Sequence, residues 1–234
     1  MGLTVGYWDI RGLAAPMRMM CEYAGVEYEN KMYSDFGAWM NGDKPGLKEK
    51  NPLINLPYVI DGDKVITQSQ ACFIYLAKKF DLCGGSKKVV GEADDCKMLE
   101  YLMEVFDVRN EIMGLVYPFK TVCRDEAEHK EKTVAFCASV ATGSFAKLEA
   151  VLASSSGPLL MGAEISAADF HLWEMIDQLE LMAKKHGTKS PIADLPKLAA
   201  FYAHFRALPQ LKKYFDSDMY KLPCNNKLGG AYFM

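Results

Sequence analysis

The chain lacks a Cys-x-x-Cys pair, a long basic run and any apolar stretch near the length of a membrane span. Each absence excludes something. The seven cysteines, at 21, 72, 83, 96, 123, 137 and 224, are odd in number and irregularly spaced, which argues against a disulfide scaffold or a zinc site. Reduced thiols fit a cytosolic compartment. The four histidines, 129, 171, 186 and 204, show no ligand spacing, so scattered surface or packing roles are expected. A net charge of −3 with a pI near 5.9 leaves no concentrated basic face for nucleic acid. The longest apolar runs fall far short of the ~20 residues that cross a bilayer. The start of the chain lacks the basic-then-apolar pattern of a secretory signal. A cytoplasmic protein that binds neither membrane nor nucleic acid is expected.

What is present is a chain of 234 residues, 50% of them apolar. That suffices for one large domain or two small ones, each with its own core. The fourteen methionines read as flexible core filling. Leu3–Trp8 reads as a buried strand. Ala14–Ala24 reads as a helix, with Pro16 in its first turn and Gly25 closing it. A second strand spans Glu27–Tyr33. Ser34–Asn55 is broken by glycine and proline, with room for a short helix at Phe36–Met40. Pro57–Thr67 is a hairpin around Asp61-Gly62-Asp63, because that turn needs positive φ. Ser69–Phe80 is a helix, and Ser69 is placed to cap it. Beyond Asp81 no strand pattern persists. Helical patterns run over 92–118, 125–154, 166–185 and 196–208, with a short turn near 210–216. The chain therefore divides into an α/β unit over 1–82, a linker over 83–90, an all-helical unit over 91–216 and a tail over 217–234.

The first strand delivers the hydroxyl of Tyr7 to a strand end beside a turn, Asp9-Ile10-Arg11-Gly12-Leu13, that opens a helix. Open α/β sheets hold ligands at such ends. Alone, a tyrosine there is ordinary core packing. A phenol is nevertheless suited to one task, stabilising a thiolate. Lowering a thiol pKa by about two units takes roughly 2.7 kcal/mol, and one hydrogen bond to a charged group supplies about 1.5–3 kcal/mol. The start of the Ser69 helix, with Gln68 before it, offers donors and partial positive charge to a carboxylate; a plain cap is the simpler alternative. Asn55-Leu56-Pro57-Tyr58 precedes a strand. A trans Pro57 would be only a turn device. A cis bond would turn the Leu56 backbone outward, to pair with an extended peptide.

These segments together resemble the mu class of cytosolic glutathione transferases. The likeness is strongest at Gly6–Leu13, Asn55–Asp61, Ile66–Ser69 and Ile165–Phe170, and it extends over nearly the whole chain. The resemblance implies a thioredoxin-like N-terminal domain, an all-helical C-terminal domain and a homodimer. It implies conjugation of glutathione, a co-substrate, to a hydrophobic electrophile in detoxification, with no metal or bound cofactor. By it, Tyr7 bonds the glutathione sulfur. Leu56 pairs with the cysteinyl backbone beside a cis Pro57. Gln68 and Ser69 hold the γ-glutamyl end, Asn55 contacts the peptide, and Trp8 and Leu13 line the cleft. Trp39 matches the indole that binds the glycyl carboxylate. Lys44 is the nearest lysine, one residue beyond the family spacing. Asp107 reaches across the dimer, and Tyr117 faces the electrophile and assists as a donor.

Ser166-Ala167-Ala168-Asp169 is a structural capping box. The sequence also departs from the family. The loop between Tyr33 and Trp39 is short, and Leu53 stands where many relatives carry a phenylalanine that plugs into the partner subunit. Tyr232 and Phe233 of the tail are expected over or near the electrophile pocket. Two other readings stay open here: a non-catalytic binding protein for apolar ligands, or a glutathione-dependent isomerase or peroxidase on the same site.

Overall fold

The computed structural model describes residues 2–85 and 93–234. The expected linker therefore lies, from residue 86 onward, outside the described residues.

The first part runs β1 (Leu3–Trp8), α1 (Ala14–Tyr23), β2 (Tyr28–Tyr33), α2 (Lys44–Lys50), β3 (Tyr58–Asp61), β4 (Lys64–Thr67) and α3 (Ser69–Phe80). The strands form one sheet in the order β2-β1-β3-β4. β1 and β2 are parallel, with Val5 opposite Asn30, as a crossover through α1 requires. β3 runs antiparallel to both neighbours, and the tight turn at Gly62 has φ +63°. Gly6 is required by packing: a Cβ there would stand 2.1 Å from the Tyr58 ring. The segment expected to be irregular is more ordered than that. A π-helical turn over Ala38–Asp43 runs into α2. Pro45 sits in the first turn of α2, where a missing N–H costs nothing. This segment covers one face of the sheet, over a small cluster of Tyr33, Trp39, Ile54 and Tyr58.

The second part is helical among the described residues: α4 (Ala93–Val116), α5 (Glu126–Ser139), α6 (Ser144–Ser154), α7 (Ala167–His186), α8 (Pro196–Arg206) and α9 (Lys212–Asp216). The single pattern read over 125–154 is two helices, broken by a 3-10 turn at Val140–Thr142 and by Gly143. By length and composition 126–154 would pass as a membrane span. The break, and the packing of α5 on α7 and of α6 on α8, mark it as two helices of the bundle. α7 is the central element. Asp169, at its start, accepts from the Ser166 backbone (2.8 Å) and hydroxyl (2.7 Å) and from Leu160 N–H (2.9 Å), which is the capping box read from sequence.

α7 also carries charge into the core. Glu174 and Asp177 are buried and both meet Arg11, from the turn after β1. The guanidinium bonds Glu174 through two nitrogens (3.1 and 2.8 Å) and Asp177 through one (2.6 Å). A second buried arginine, Arg18, donates to the carbonyls of Ile10 (2.6 Å) and Trp8 (3.3 Å). Two arginines thus fix the turn that follows the first strand.

The histidines are not all scattered. His129 and His186 meet with their Nε2 atoms 3.1 Å apart, because α5 and α7 pack side by side. No cluster of three metal-ligating side chains occurs among the described residues.

Candidate active site

Tyr7 lies at the end of β1 and is 7% exposed. Burial pushes its phenol above the ordinary value, while Arg109, a hydrogen bond from the Leu13 backbone and Arg18 pull it down. The net shift is upward, so the hydroxyl keeps its proton at neutral pH and acts as a donor. The turn from Arg11 to Leu13 wraps around this ring, and Gly12 makes the close passage with φ +40°.

Asn55, Leu56 and Pro57 form the connection into β3, and the Leu56–Pro57 bond is cis. Thr67 organises the segment. Its hydroxyl accepts from Asn55 N–H (3.1 Å) and lies 2.9 Å from the Asn55 carbonyl. The Leu56 N–H and C=O have no hydrogen-bond partner among the described residues. They remain open to an extended peptide, as an added strand would use them.

Gln68 is the residue before α3, with φ +71° and ψ 122°. A non-glycine residue held there is strained, and such strain concentrates at ligand sites. Ser69 is not the cap expected from sequence. It is the first residue of α3, and its hydroxyl donates to the Gln70 side chain (2.8 Å). The positive φ of Gln68 starts the helix one residue earlier than a serine cap would. Gln68 itself is exposed, at the end of the helix where backbone N–H groups are free.

Trp39 is buried against Tyr58 (ring centroids 5.8 Å), and the Lys44 ammonium lies 5.8 Å from its ring. The structure thus brings Lys44 and Trp39 together despite the altered spacing. Asp107 is exposed on α4.

Tyr117 follows the end of α4. Its hydroxyl oxygen accepts from the Asn226 backbone N–H (2.8 Å), and its ring stacks on Phe119 (4.9 Å). Tyr7 and Tyr117 share a cavity of about 350 Å3, with Trp8, Ile10, Phe36, Arg109, Phe119, Asn226, Leu228 and Gly229. Leu13 is half-buried beside it. The tail does wall this cavity, but through Asn226, Leu228 and Gly229. Tyr232 and Phe233, expected there, lie elsewhere. Tyr232 stacks on His129 (5.7 Å) and its N–H donates to the Val116 carbonyl (2.9 Å). Phe233 is buried, with the Lys185 ammonium 5.5 Å from its ring. The turn at Gly230 (φ +69°) carries both aromatics past the cavity. Cys21, Cys72 and Cys224 are buried, and burial pushes each thiol up to about 12, so none of these three supplies a thiolate at neutral pH.

Comparison with known proteins decides the family. The Glutathione S-transferase N-terminal domain matches residues 3–78, and the Glutathione S-transferase C-terminal domain matches 106–218. Glutathione S-transferase Mu 1 of Oryctolagus cuniculus is 31% identical over 94% of this chain and 93% of its own length. The chain belongs to the glutathione S-transferase family. Within it, the transferase is mu-like: Glutathione S-transferase Mu 3 of Homo sapiens is 29% identical over 97% of this chain and 93% of its own. Among solved structures, a Pi-class glutathione S-transferase of Onchocerca volvulus superposes with a TM-score of 0.77. It covers 97% of this chain and 99% of its own at 24% identity, which speaks for the fold. A glutathione S-transferase from Ascaris lumbricoides gives 0.71 at 23% identity, over 92% and 96% of the two chains.

Sequence reasoning about this transferase missed Arg109, Phe36, Phe119 and the tail residues of the cavity wall. Arg109 carried a signal. It borders the buried α4 stripe of Val105, Val108, Ile112 and Val116, where a cation is unusual. The tail residues carried none, because an irregular segment has no periodicity to read.

Proposed function

We propose that Tyr7 is the residue through which this mu-like transferase activates glutathione for attack on an apolar electrophile. Residues 1–82 hold the tripeptide, and 91–216 with the tail form the electrophile side. The observation that carries the reading is one protonated phenol, Tyr7, opening into the same cavity as a second, Tyr117. In this reading Tyr7 donates to the thiolate and holds it ionised at neutral pH. Leu56 pairs with the cysteinyl backbone. Gln68, Ser69 and the start of α3 take the γ-glutamyl carboxylate, and Lys44, carried by Trp39, takes the glycyl one. Asn55 touches the peptide, and Trp8 and Leu13 wall the cleft.

Tyr117 acts second. Its oxygen is occupied by the Asn226 N–H, so its proton is free to point at the electrophile and stabilise charge that develops there. The rest of the acceleration is proximity of the two substrates. Seven free cysteines support a reducing, cytosolic location, and conjugation of apolar electrophiles there would serve detoxification. A homodimer is supported by Leu53, which is 72% exposed, and by exposed Leu99 and Met103 on α4. Asp107 then reaches the partner's glutathione.

The test is Tyr7→Phe, assayed for glutathione affinity, thiol pKa and turnover. Returning the thiol from a pKa near 6.5 to about 8.5 drops its ionised fraction at pH 7 by about 25-fold. Turnover falls by that order, glutathione still binds, and the loss appears in kcat. Unchanged turnover refutes the role of Tyr7.

A further inference from the structure

Three arginines sit in or near the interior, and two of them are paired. Arg11 holds two carboxylates, and Arg18 holds two backbone carbonyls and the Asn30 amide. Arg109 differs. Among the described residues it makes no ion pair and no hydrogen bond, and its nearest charge-stabilising contact is the Phe106 ring at 5.8 Å. Burial pulls its guanidinium below the ordinary value, and the groups that act back on it are two phenols, Tyr7 and Tyr117. No carboxylate faces it. Asp107, two residues earlier, acts instead on Lys147 on the far side of the helix.

An unpaired cation beside an apolar cavity costs free energy that an arriving anion recovers. The walls say what else the anion carries. Trp8 and Ile10 line the cavity, while Phe36, Phe119 and Leu228 stand largely exposed around it. Each comes from a different part of the chain, and together they present faces for a flat ring. A guanidinium also takes a carboxylate through two parallel N–H bonds, where an ammonium acts as a point charge.

We infer that Arg109 selects the second substrate of this transferase: a flat, apolar electrophile that bears a carboxylate or sulfonate. The inference rests on the reading of this cavity as the electrophile side. A chloronitrobenzoate represents the class. The glutathione thiolate attacks the ring carbon that carries chlorine, a C–S bond forms, and the C–Cl bond breaks. Chloride leaves with the electron pair. The thiol proton has already gone to solvent, and the benzoate carboxylate stays on Arg109 throughout.

The experiment compares 4-chloro-3-nitrobenzoate with its methyl ester at saturating glutathione, in the wild type, Arg109→Gln and Arg109→Lys. Binding of the unreactive pair 3-nitrobenzoate and methyl 3-nitrobenzoate is followed in parallel by quenching of tryptophan fluorescence, since Trp8 lines the cavity. The expected result is a kcat/KM ratio of acid to ester at least tenfold lower in Arg109→Gln, with Arg109→Lys restoring part of it. The binding preference for the acid falls in step. Equal losses for acid and ester would place the charge on the glutathione thiolate instead and overturn the inference. An unchanged ratio overturns it as well. The binding arm separates the two levels. An Arg109-dependent preference for 3-nitrobenzoate without turnover of any electrophile keeps the recognition and sinks the catalytic reading. Turnover of neutral electrophiles without that preference does the reverse.

Discussion

Gly12 passes so close to Tyr7 that a Cβ on it would stand 2.7 Å from Cε1 of the tyrosine and 3.0 Å from its hydroxyl oxygen. Its φ of +40° disfavours a side chain on backbone grounds as well. The turn therefore fixes the direction of the phenol. Gly12→Ala pushes the ring off its position without touching the groups assigned to the glutathione backbone. The bound thiol pKa should rise by about one unit, from near 6.5 to about 7.5, with turnover at pH 7 falling about threefold and glutathione affinity changing little. Ultraviolet titration of the bound thiolate reads the first quantity. An unmoved pKa would show that the ring position is set elsewhere.

Arg11 offers a stability test. Arg11→Ala leaves Glu174 and Asp177 buried without their cation. Breaking a buried ion pair from one side costs about 3–5 kcal/mol, so the urea midpoint should drop sharply. Asp177 keeps hydrogen bonds from the Tyr202 (2.5 Å) and Tyr220 hydroxyls (3.3 Å), and Glu174 keeps the Gln178 amide (2.8 Å). The double variant Glu174→Gln with Asp177→Asn, on the Arg11→Ala background, should therefore recover part of the loss. If the single variant costs under 1 kcal/mol, the cluster is solvated and this account is wrong.

The pieces of this site that depend on local chemistry were legible in the sequence. Tyr7 could be placed from a strand pattern and a polar turn, the hairpin from Asp61-Gly62, and the start of α7 from Ser166 and Asp169. What escaped were long-range pairings. Arg11 and Arg18 look like ordinary surface cations until α7 brings acids, and β1 brings carbonyls, against them. Gln68 reads as helix or loop, because nothing local announces a positive φ on a glutamine. The proximity of His129 to His186 arises only once two helices pack. Tyr232 and Phe233 were expected at the cavity because the tail ends aromatic, whereas the fold sets Tyr232, half-buried, against His129 and buries Phe233.

His171 gives a pH test. It is buried near Phe73 (5.2 Å), and burial, with Arg109 nearby, pulls it from 6.5 down to about 3. The unfolded chain takes up this proton first as pH falls below 6.5, so folded stability is lost from there toward 3. The slope is about 1.4 kcal/mol per pH unit from this group. Asp169 works the other way. Burial raises it from 3.8 to about 6, so its contribution is present below 3.8 and is lost as pH rises through 6. Denaturant unfolding of His171→Phe beside the wild type isolates the histidine. The variant should gain on the wild type steadily between pH 6.5 and 4, and parallel curves would contradict a neutral buried His171.

Leu53 tests the assembly. At 72% exposed, a leucine there has no intramolecular role that would suffer from charge. Leu53→Glu should leave thermal unfolding of the subunit nearly unmoved while shifting the mass measured by light scattering from dimer toward monomer. Activity should fall with it if Asp107 serves the neighbouring site. A monomeric wild type, or a variant of undiminished mass, removes Leu53 from the interface.

Arg11 belongs by sequence to the sheet and by contact to the bundle, and its backbone N–H also donates to Pro223 of the tail (2.8 Å). Prying sheet from bundle would break the Arg11–Glu174–Asp177 cluster and lay bare the apolar surface packed around it. The halves are thus expected to melt in one transition, and a substrate must find its way in past pliable side chains at the rim, with no jaw-like swing of one half from the other.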